Sequence, residues 1–274
     1  MTKSPALNFA TAITRTPSAT VTSGLRAIDQ GAPDPTLFRS HHAAYISALQ
    51  ATGAEIIQLP ALEHYPDSVF VEDTALCLPE GAIVMRPGTP SRLGEAVEMA
   101  TVLPEYFRQV RYINAGHVEG GDILVTSREI LVGKSARTDE KGVAALQEIV
   151  SDWGYQVREL QTPPGVLHFK TDCGLLDDDT ILSTRRLAAS GCFADYTILY
   201  VADEEEACAN AVRFNDVVLF PAGFPKTASM LRDHGYQLVE VPNTEAAKID
   251  GGMSCLSLRF TRYPDPDRGT ESYE

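Results

Sequence analysis

The sequence predicts an α/β protein built as a five-module pseudo-symmetric α/β propeller, a single domain spanning residues 1–274. Three observations predict it. An order of elements, apolar hairpin then helix then a further strand, returns along the chain, with successive hairpin turns roughly 48, 50 and 37 residues apart, the range expected of supersecondary repeats. Tight hairpins in every unit disfavour an all-parallel doubly wound sheet. The first and last apolar runs can pair with one another, which would close a ring and remove exposed sheet edges.

The first unit is "TALCLPEGAIVMRPG", two apolar runs about the turn Pro79-Glu80-Gly81, followed by the helical stretch "SRLGEAVEMATVL" and the strand "QVRYINA". In the second, "GDILVTSREILVG" turns at Ser127-Arg128-Glu129. Thr138 is then placed to cap a helix that has Asp139 and Glu140 in its first turn and Val143, Leu146, Val150 and Trp153 on one face; "YQVREL" closes the unit. The third turns through Asp177-Asp178-Asp179 in "CGLLDDDTILST", with a short helix near Arg186 and the strand "YTILYVA". The fourth turns at Asn215-Asp216, has a helix ending at Gly235 and closes with "YQLVEVP". The fifth is split between the ends. "CLSLRFTR" is expected to pair with "ALNFATAITR", after which Asp34 caps a helix with Pro35 at its first position and Leu37, Tyr45 and Ala48 inward, followed by the strand "EIIQLP".

A chain that is 44% hydrophobic has enough apolar side chains for a large core. Its formal charge of −14 disfavours phosphate backbones and anionic membranes and suits a cationic small molecule. The first residues hold no apolar run of signal-peptide length and no stretch reaches membrane-spanning length, so the expected location is cytoplasmic. Five cysteines without a C-x-x-C pair suggest reduced thiols. The polar tail, about residues 264–274, is expected to be flexible.

If the units are equivalent, the residues leading into their hairpins meet near the axis. Unit one brings Glu72 and Asp73, unit two Glu119 and Asp122 in "GHVEGGD", unit three His168 in "VLHFKTD", and unit five Cys255 in "IDGGMSC". A nucleophile, a base and an orienting acid are what covalent catalysis requires. Gly251 and Gly252 permit unusual backbone angles and close ligand approach beside Cys255. Each of these has a plainer reading: a cysteine packed as a small hydrophobe, a structural histidine, a turn acid, a strand whose paired acids face opposite ways. The pair Glu72-Asp73 within "DSVFVEDTALC" asks for a partner, and a guanidinium matches carboxylates in two-point geometry. Arg92 and Arg137 stand alike, each just before a helix, where a cation opposes the helix dipole; two placed alike suggest an anion to bind, such as an α-carboxylate.

The motifs "PDSVFVEDTALC", "RPGTPSR", "GHVEGGD", "GKSARTDEKG", "LHFKT" and "KIDGGMSCLSLRF" run in order through nearly the whole chain and resemble those of the dimethylarginine dimethylaminohydrolases. The resemblance implies the pentein fold, a five-module propeller, and hydrolysis of Nω-methylated L-arginine to L-citrulline and a methylamine. It implies Cys255 as nucleophile, His168 as general acid/base and Glu119 as the acid completing the triad. It further implies Glu72 and Asp73 at the guanidinium, Asp67 at the α-amino group, Arg92 and Arg137 at the carboxylate, and backbone carbonyls of Leu25 and Ile249, Leu25 lying on a loop that covers the site. No cofactor and no metal is implied, and the partner is a small-molecule methylated arginine, with no nucleic acid or membrane and with a homodimer left open. Two rivals remain: a deiminase or hydrolase of unmethylated arginine or another guanidine, and a non-catalytic arginine-binding or interaction propeller.

Overall fold

The computed structural model describes residues 4–261; the tail expected to be flexible, about 264–274, lies outside the described residues. In chain order the elements are β1 (Thr11–Arg15), α1 (Pro35–Gln50) and β2 (Glu55–Leu59), then a first complete module of β3 (Ala75–Leu78), β4 (Gly81–Val84), α2 (Leu93–Val102) and β5 (Val110–Tyr112). The second comprises β6 (Ile123–Val125), β7 (Ile130–Lys134), α3 (Glu140–Ser151) and β8 (Val157–Gln161). The third comprises β9 (Cys173–Leu175), β10 (Thr180–Ser183), α4 (Arg185–Ala188) and β11 (Thr197–Tyr200). The fourth comprises β12 (Val212–Phe214), β13 (Val217–Pro221), α5 (Pro225–Asp233) and β14 (Leu238–Val241), and α6 (Thr244–Ala247) leads to β15 (Leu258–Phe260).

Among the described residues these strands make five three-stranded sheets, each an antiparallel hairpin with a parallel third strand. The fifth sheet has the order β15-β1-β2, with Thr11 opposite Phe260 and Ile13 opposite Leu258, so the two ends of the described chain share one sheet. The middle strand of each sheet is buried along most or all of its length, whereas the third strand is half open to solvent. The first strands β3, β6, β9, β12 and β15 all line one axial cavity of ≈ 110 Å³. The architecture is a five-module α/β propeller.

The apolar core is divided in the same way. Five buried clusters lie at the five junctions: modules one and two meet through Leu78, Ile83, Ile123 and Leu146, and modules two and three through Leu131, Phe169 and Ile181. Modules three and four meet through Leu182, Val218 and Phe220, four and five through Phe214, Phe38 and Tyr45, and five and one through Ile13, Phe260, Val84 and Met99. Each sheet covers its apolar face with its neighbour's, which is what a repeat too small for its own core must do.

Local signals place most of these elements. Asp34 caps α1, its Oδ1 accepting from the N–H groups of Thr36 at 2.7 Å and Leu37 at 2.9 Å, with Pro35 at the first helical position. Of the residues expected on the inward face of that helix, Tyr45 and Ala48 are buried and Leu37 is not. Leu37 is exposed, and Phe38, His42, Tyr45 and Leu49, spaced by four, three and four, face the core. Asp139, not Thr138, caps α3 by accepting from the Gly142 N–H at 2.8 Å, because the Thr138 hydroxyl is committed to Asp122 at 2.6 Å. Trp153 lies past the end of α3 and packs on the same cluster as Leu146. No helix among the described residues is long and apolar enough to cross a membrane.

Candidate functional site

In every module a short 3-10 turn precedes the first strand: Val71–Thr74, Gly120–Asp122, Phe169–Thr171, Glu206–Ala209 and Ser254–Leu256. Such turns change the direction of the side chains at each residue, so neighbours in sequence can point to opposite sides of the hub. A cavity of ≈ 30 Å³ at one end of the hub is lined by Leu25, Asp67, Phe70, Asp73, Arg92, Arg137, Leu167, His168, Ile249, Asp250 and Cys255. Glu119 stands directly behind it, fully buried, with its Oε2 2.6 Å from His168 Nε2 and its Oε1 accepting from the Gly88 N–H at 2.9 Å and Arg137 Nη1 at 3.4 Å. Nine of the ten expected site residues are therefore brought together.

Glu72 is the one the structure sets apart. Its carboxylate turns to the axial cavity, where Oε1 accepts from Lys170 Nζ at 2.5 Å and Arg259 Nη2 at 2.7 Å, and Oε2 accepts from Ser254 Oγ at 2.6 Å. The two carboxylates of the acid pair do not face one point, because the turn Val71–Thr74 splays its side chains and the protein itself supplies cations to Glu72. Asp73 keeps to the reactive side. Its Oδ2 pairs with Arg92 Nη1 at 2.6 Å and its Oδ1 accepts from the Gly121 N–H at 2.8 Å.

Arg92 is buried and held by Asp73, by Glu95 Oε2 at 2.8 Å and by the Phe70 carbonyl at 3.1 Å, so it shapes the cavity wall as well as contributing charge. Arg137 is less committed, its side chain 17% exposed with one acid contact at 3.4 Å. The loop carrying Leu25 is latched over the cavity by backbone donors: Leu25 N–H to Asp67 Oδ1 at 2.9 Å and Ala27 N–H to Asp250 Oδ2 at 2.6 Å. Gly251 and Gly252 do not occupy left-handed backbone; Asp250 does, at φ +59°. The glycines serve close approach instead, since a Cβ at Gly251 would lie 2.3 Å from the Phe70 ring.

Cys255 Sγ accepts from the Gly252 N–H at 3.4 Å. Burial, then the charges of Glu72 and Asp73, push its thiol up to about 12. For His168, burial acts to lower the pKa, but Asp73, Asp122 and Glu119 together outweigh it and raise the imidazole to about 9. Asp73 is held below the usual carboxylate range: burial opposes this, and His168 and Arg92 prevail. At neutral pH the resting site therefore holds a protonated thiol, an imidazolium and a carboxylate. Of the five cysteines, Cys255 is the one that lines the cavity beside His168, while Cys77 and Cys173 line the axial cavity. Asp73, Glu119 and His168 offer ligand atoms within 4.8 Å of one another, a spacing a metal ion could use, but these atoms are already paired as His168–Glu119 and Asp73–Arg92.

The family model for arginine deiminase matches residues 60–219. The N(G),N(G)-dimethylarginine dimethylaminohydrolase of Pseudomonas aeruginosa is 38% identical over 250 residues, covering 90% of this chain and 98% of that one. The chain belongs to the dimethylarginine dimethylaminohydrolase family. A crystal structure of that enzyme from Pseudomonas aeruginosa, a cysteine-to-serine mutant complexed with citrulline, superposes with a TM-score of 0.89 at 36% identity, covering 92% of this chain and 99% of the other. A second dimethylarginine dimethylaminohydrolase structure, a histidine-to-glycine adduct with S-methyl-L-thiocitrulline, gives 0.89 at 37% identity, covering 92% and 100%. Membership in the family agrees with the motifs read from the sequence and with the five sheets.

Sequence reasoning missed Phe70, Leu167 and Asp250 in the cavity wall, and Lys170 and Arg259 beside Glu72. For the last two a signal existed. Lys170 in "LHFKT" and Arg259 in "CLSLRF" are charges within apolar runs, the same anomaly that singled out Glu72, and opposite charges of that kind invite pairing.

Proposed function

We propose that this protein hydrolyses Nω,Nω-dimethyl-L-arginine or Nω-methyl-L-arginine to L-citrulline and a methylamine, with Cys255 as nucleophile, His168 as general acid/base and Glu119 as the acid that orients it. The observation that carries the reading is that Cys255, His168, Asp73 and Arg137 line one cavity while Glu119 grips His168 from behind.

The guanidinium carbon is a poor electrophile because resonance spreads its charge, so catalysis needs a thiolate and accurate placement. The substrate cation supplies what the resting site lacks. Set against Asp73, it offsets one of the charges that hold the thiol protonated, and the thiol proton passes to solvent water as the cation settles. Cys255 Sγ then attacks the guanidinium carbon, giving a tetrahedral centre bonded to sulfur. With Nε2 held by Glu119, His168 donates from Nδ1 to the methylated nitrogen; the C–N bond breaks, the amine departs and a thiouronium on Cys255 remains. His168, now neutral, takes a proton from water, the hydroxide adds to the same carbon, the C–S bond breaks with the hydroxyl proton passing to the departing Sγ, and the urea group of citrulline and the Cys255 thiol form. The product side chain is neutral, so Asp73 loses its charge partner and release is favoured.

Arg137 and Asp67 take the α-carboxylate and α-amino ends, and the backbone of Leu25 and Ile249 closes over them. The Leu25 loop is held over the cavity by Asp67 and Asp250, so release of those two contacts opens the cavity to the substrate.

Assay of citrulline, dimethylamine and ammonia across dimethylarginine, monomethylarginine, arginine and agmatine tests the reading. Citrulline with dimethylamine from dimethylarginine is the expected result, abolished in Cys255→Ser with substrate binding kept; ammonia from unmethylated arginine as the main activity overturns it in favour of a deiminase.

A further inference from the structure

The fourth module gives no residue to the small cavity, yet one of its side chains ties together the turns that carry His168 and Cys255. Asn210 follows the turn Glu206–Ala209 and is buried. Its Oδ1 accepts from the Ser254 N–H at 2.8 Å, and its Nδ2 donates to the Lys170 carbonyl at 2.8 Å and to Ser254 Oγ at 3.1 Å. Lys170 is in the turn that begins directly after His168, and Ser254 directly precedes Cys255. The backbone leading into Cys255's turn is packed against the same amide: a Cβ at Gly252 would lie 2.4 Å from Asn210 Cγ.

The same device joins other modules. Asp73 Oδ1 accepts from the Gly121 N–H at 2.8 Å, linking module one to two, and Asp122 Oδ1 accepts from the Phe169 N–H at 2.8 Å, linking two to three. In each, a short polar side chain at the end of one turn accepts from the backbone of the next module's turn. Those two are carboxylates; module four uses an amide. The difference has a chemical reason, because Asn210 must also donate backward to the Lys170 carbonyl, which a carboxylate would repel.

We propose that Asn210 is a positioning residue for the reaction: its amide fixes the turn of His168 relative to the turn of Cys255. The inference rests on the reading of those two residues as acid/base and nucleophile. It matters because attack on the guanidinium carbon and protonation of the departing amine need both groups placed against one substrate plane, and a shift of about 1 Å can cost about 100-fold in rate. Asn210 touches neither substrate nor reacting atoms, so its loss should spare the contacts made by Arg137 and Asp67.

The test is Asn210→Asp, nearly isosteric, which keeps the acceptor for Ser254 and loses the donor to Lys170. With dimethylarginine, kcat is expected to fall about 100-fold while KM stays within about threefold, and alkylation of Cys255 by a cationic amidine reagent is expected to slow in parallel. A merely structural role would lower the unfolding temperature and leave kcat of the folded protein intact, so a folded variant with kcat within about twofold of the parent overturns the proposal. If Asn210→Asp does not fold, Asn210→Ala serves, since it removes both the acceptor for the Ser254 N–H and the donor to the Lys170 carbonyl and leaves the Ser254 hydroxyl on Glu72. A kcat loss of about tenfold supports the proposal there, and an unchanged kcat overturns it. An unsubstituted protein that makes no citrulline would instead overturn the functional reading on which this one stands.

Discussion

At the level of single residues, the site is set by which charges the protein satisfies internally and which it leaves for a ligand. Cys255 shows the second case. A thiol pushed up to about 12 by burial and by Glu72 and Asp73 is a poor nucleophile at rest. Its alkylation by a neutral reagent such as iodoacetamide is therefore expected to be slow at pH 7 and to keep rising beyond pH 10, while a positively charged amidine reagent reacts faster by carrying the missing charge. A neutral-reagent rate that levels off by about pH 8 would contradict this. Glu72 shows the first case. Removing its charge in Glu72→Gln leaves Lys170 and Arg259 buried without compensation, and a loss of about 3 kcal/mol in urea unfolding is expected with little change in KM. A KM rise above tenfold with unchanged stability would return Glu72 to the guanidinium. The residue types of the site were legible in the sequence because charges and glycines interrupt apolar runs at matching places. The separation of Glu72 from Asp73 was not, since the pair was read as one two-point clamp, and the cations that draw Glu72 away come from modules distant in sequence.

At the level of elements, the 3-10 turns place the chemistry and the hairpins merely hold them. Gly121, in the middle of the turn Gly120–Asp122, has no room for a side chain: a Cβ would sit 2.7 Å from His168 Nδ1 and 2.9 Å from Asp73 Oδ1. Gly121→Ala is expected to fold, because its backbone angles are ordinary, but to lose about 100-fold in kcat by displacing both groups. Full activity in that variant would show that the turn tolerates the shift. The hairpins and the caps at Asp34 and Pro35 were legible because each rests on local chemistry, a turn residue or a cap between apolar runs. On the inward face of α1, Tyr45 and Ala48 were placed correctly and Leu37 was not, because Leu37 and Phe38 are adjacent apolar residues and only packing against modules four and five decides between them.

At the level of the whole molecule, modules one, two and three converge on one imidazolium, through Asp73, Glu119 with Asp122, and His168 itself. In the unfolded chain those acids are far from His168 and its pKa returns to about 6.5. The native state holds the proton more tightly, so this contribution to stability is fully present below about pH 6.5 and is lost as pH rises through about 9. The pKa difference corresponds to about 3 kcal/mol. Urea unfolding at pH 6 and pH 9 should show a larger fall for the parent protein than for His168→Asn, and equal falls would rule the linkage out. The ring was legible because five similar units and two pairing ends leave few other arrangements. The order of contacts across the hub was not, because it depends on side chains from modules distant in sequence.

The sheet β15-β1-β2 also constrains how the protein comes into being. During synthesis β1 emerges with one side bare, and its antiparallel neighbour arrives only after the strands of the four other sheets have been made. Cys255 lies three residues before that late strand. Delivery of Cys255 to the hub and shutting of the circle thus belong to one late step, so a nascent chain stalled short of residue 258 would carry four blades around an open ring.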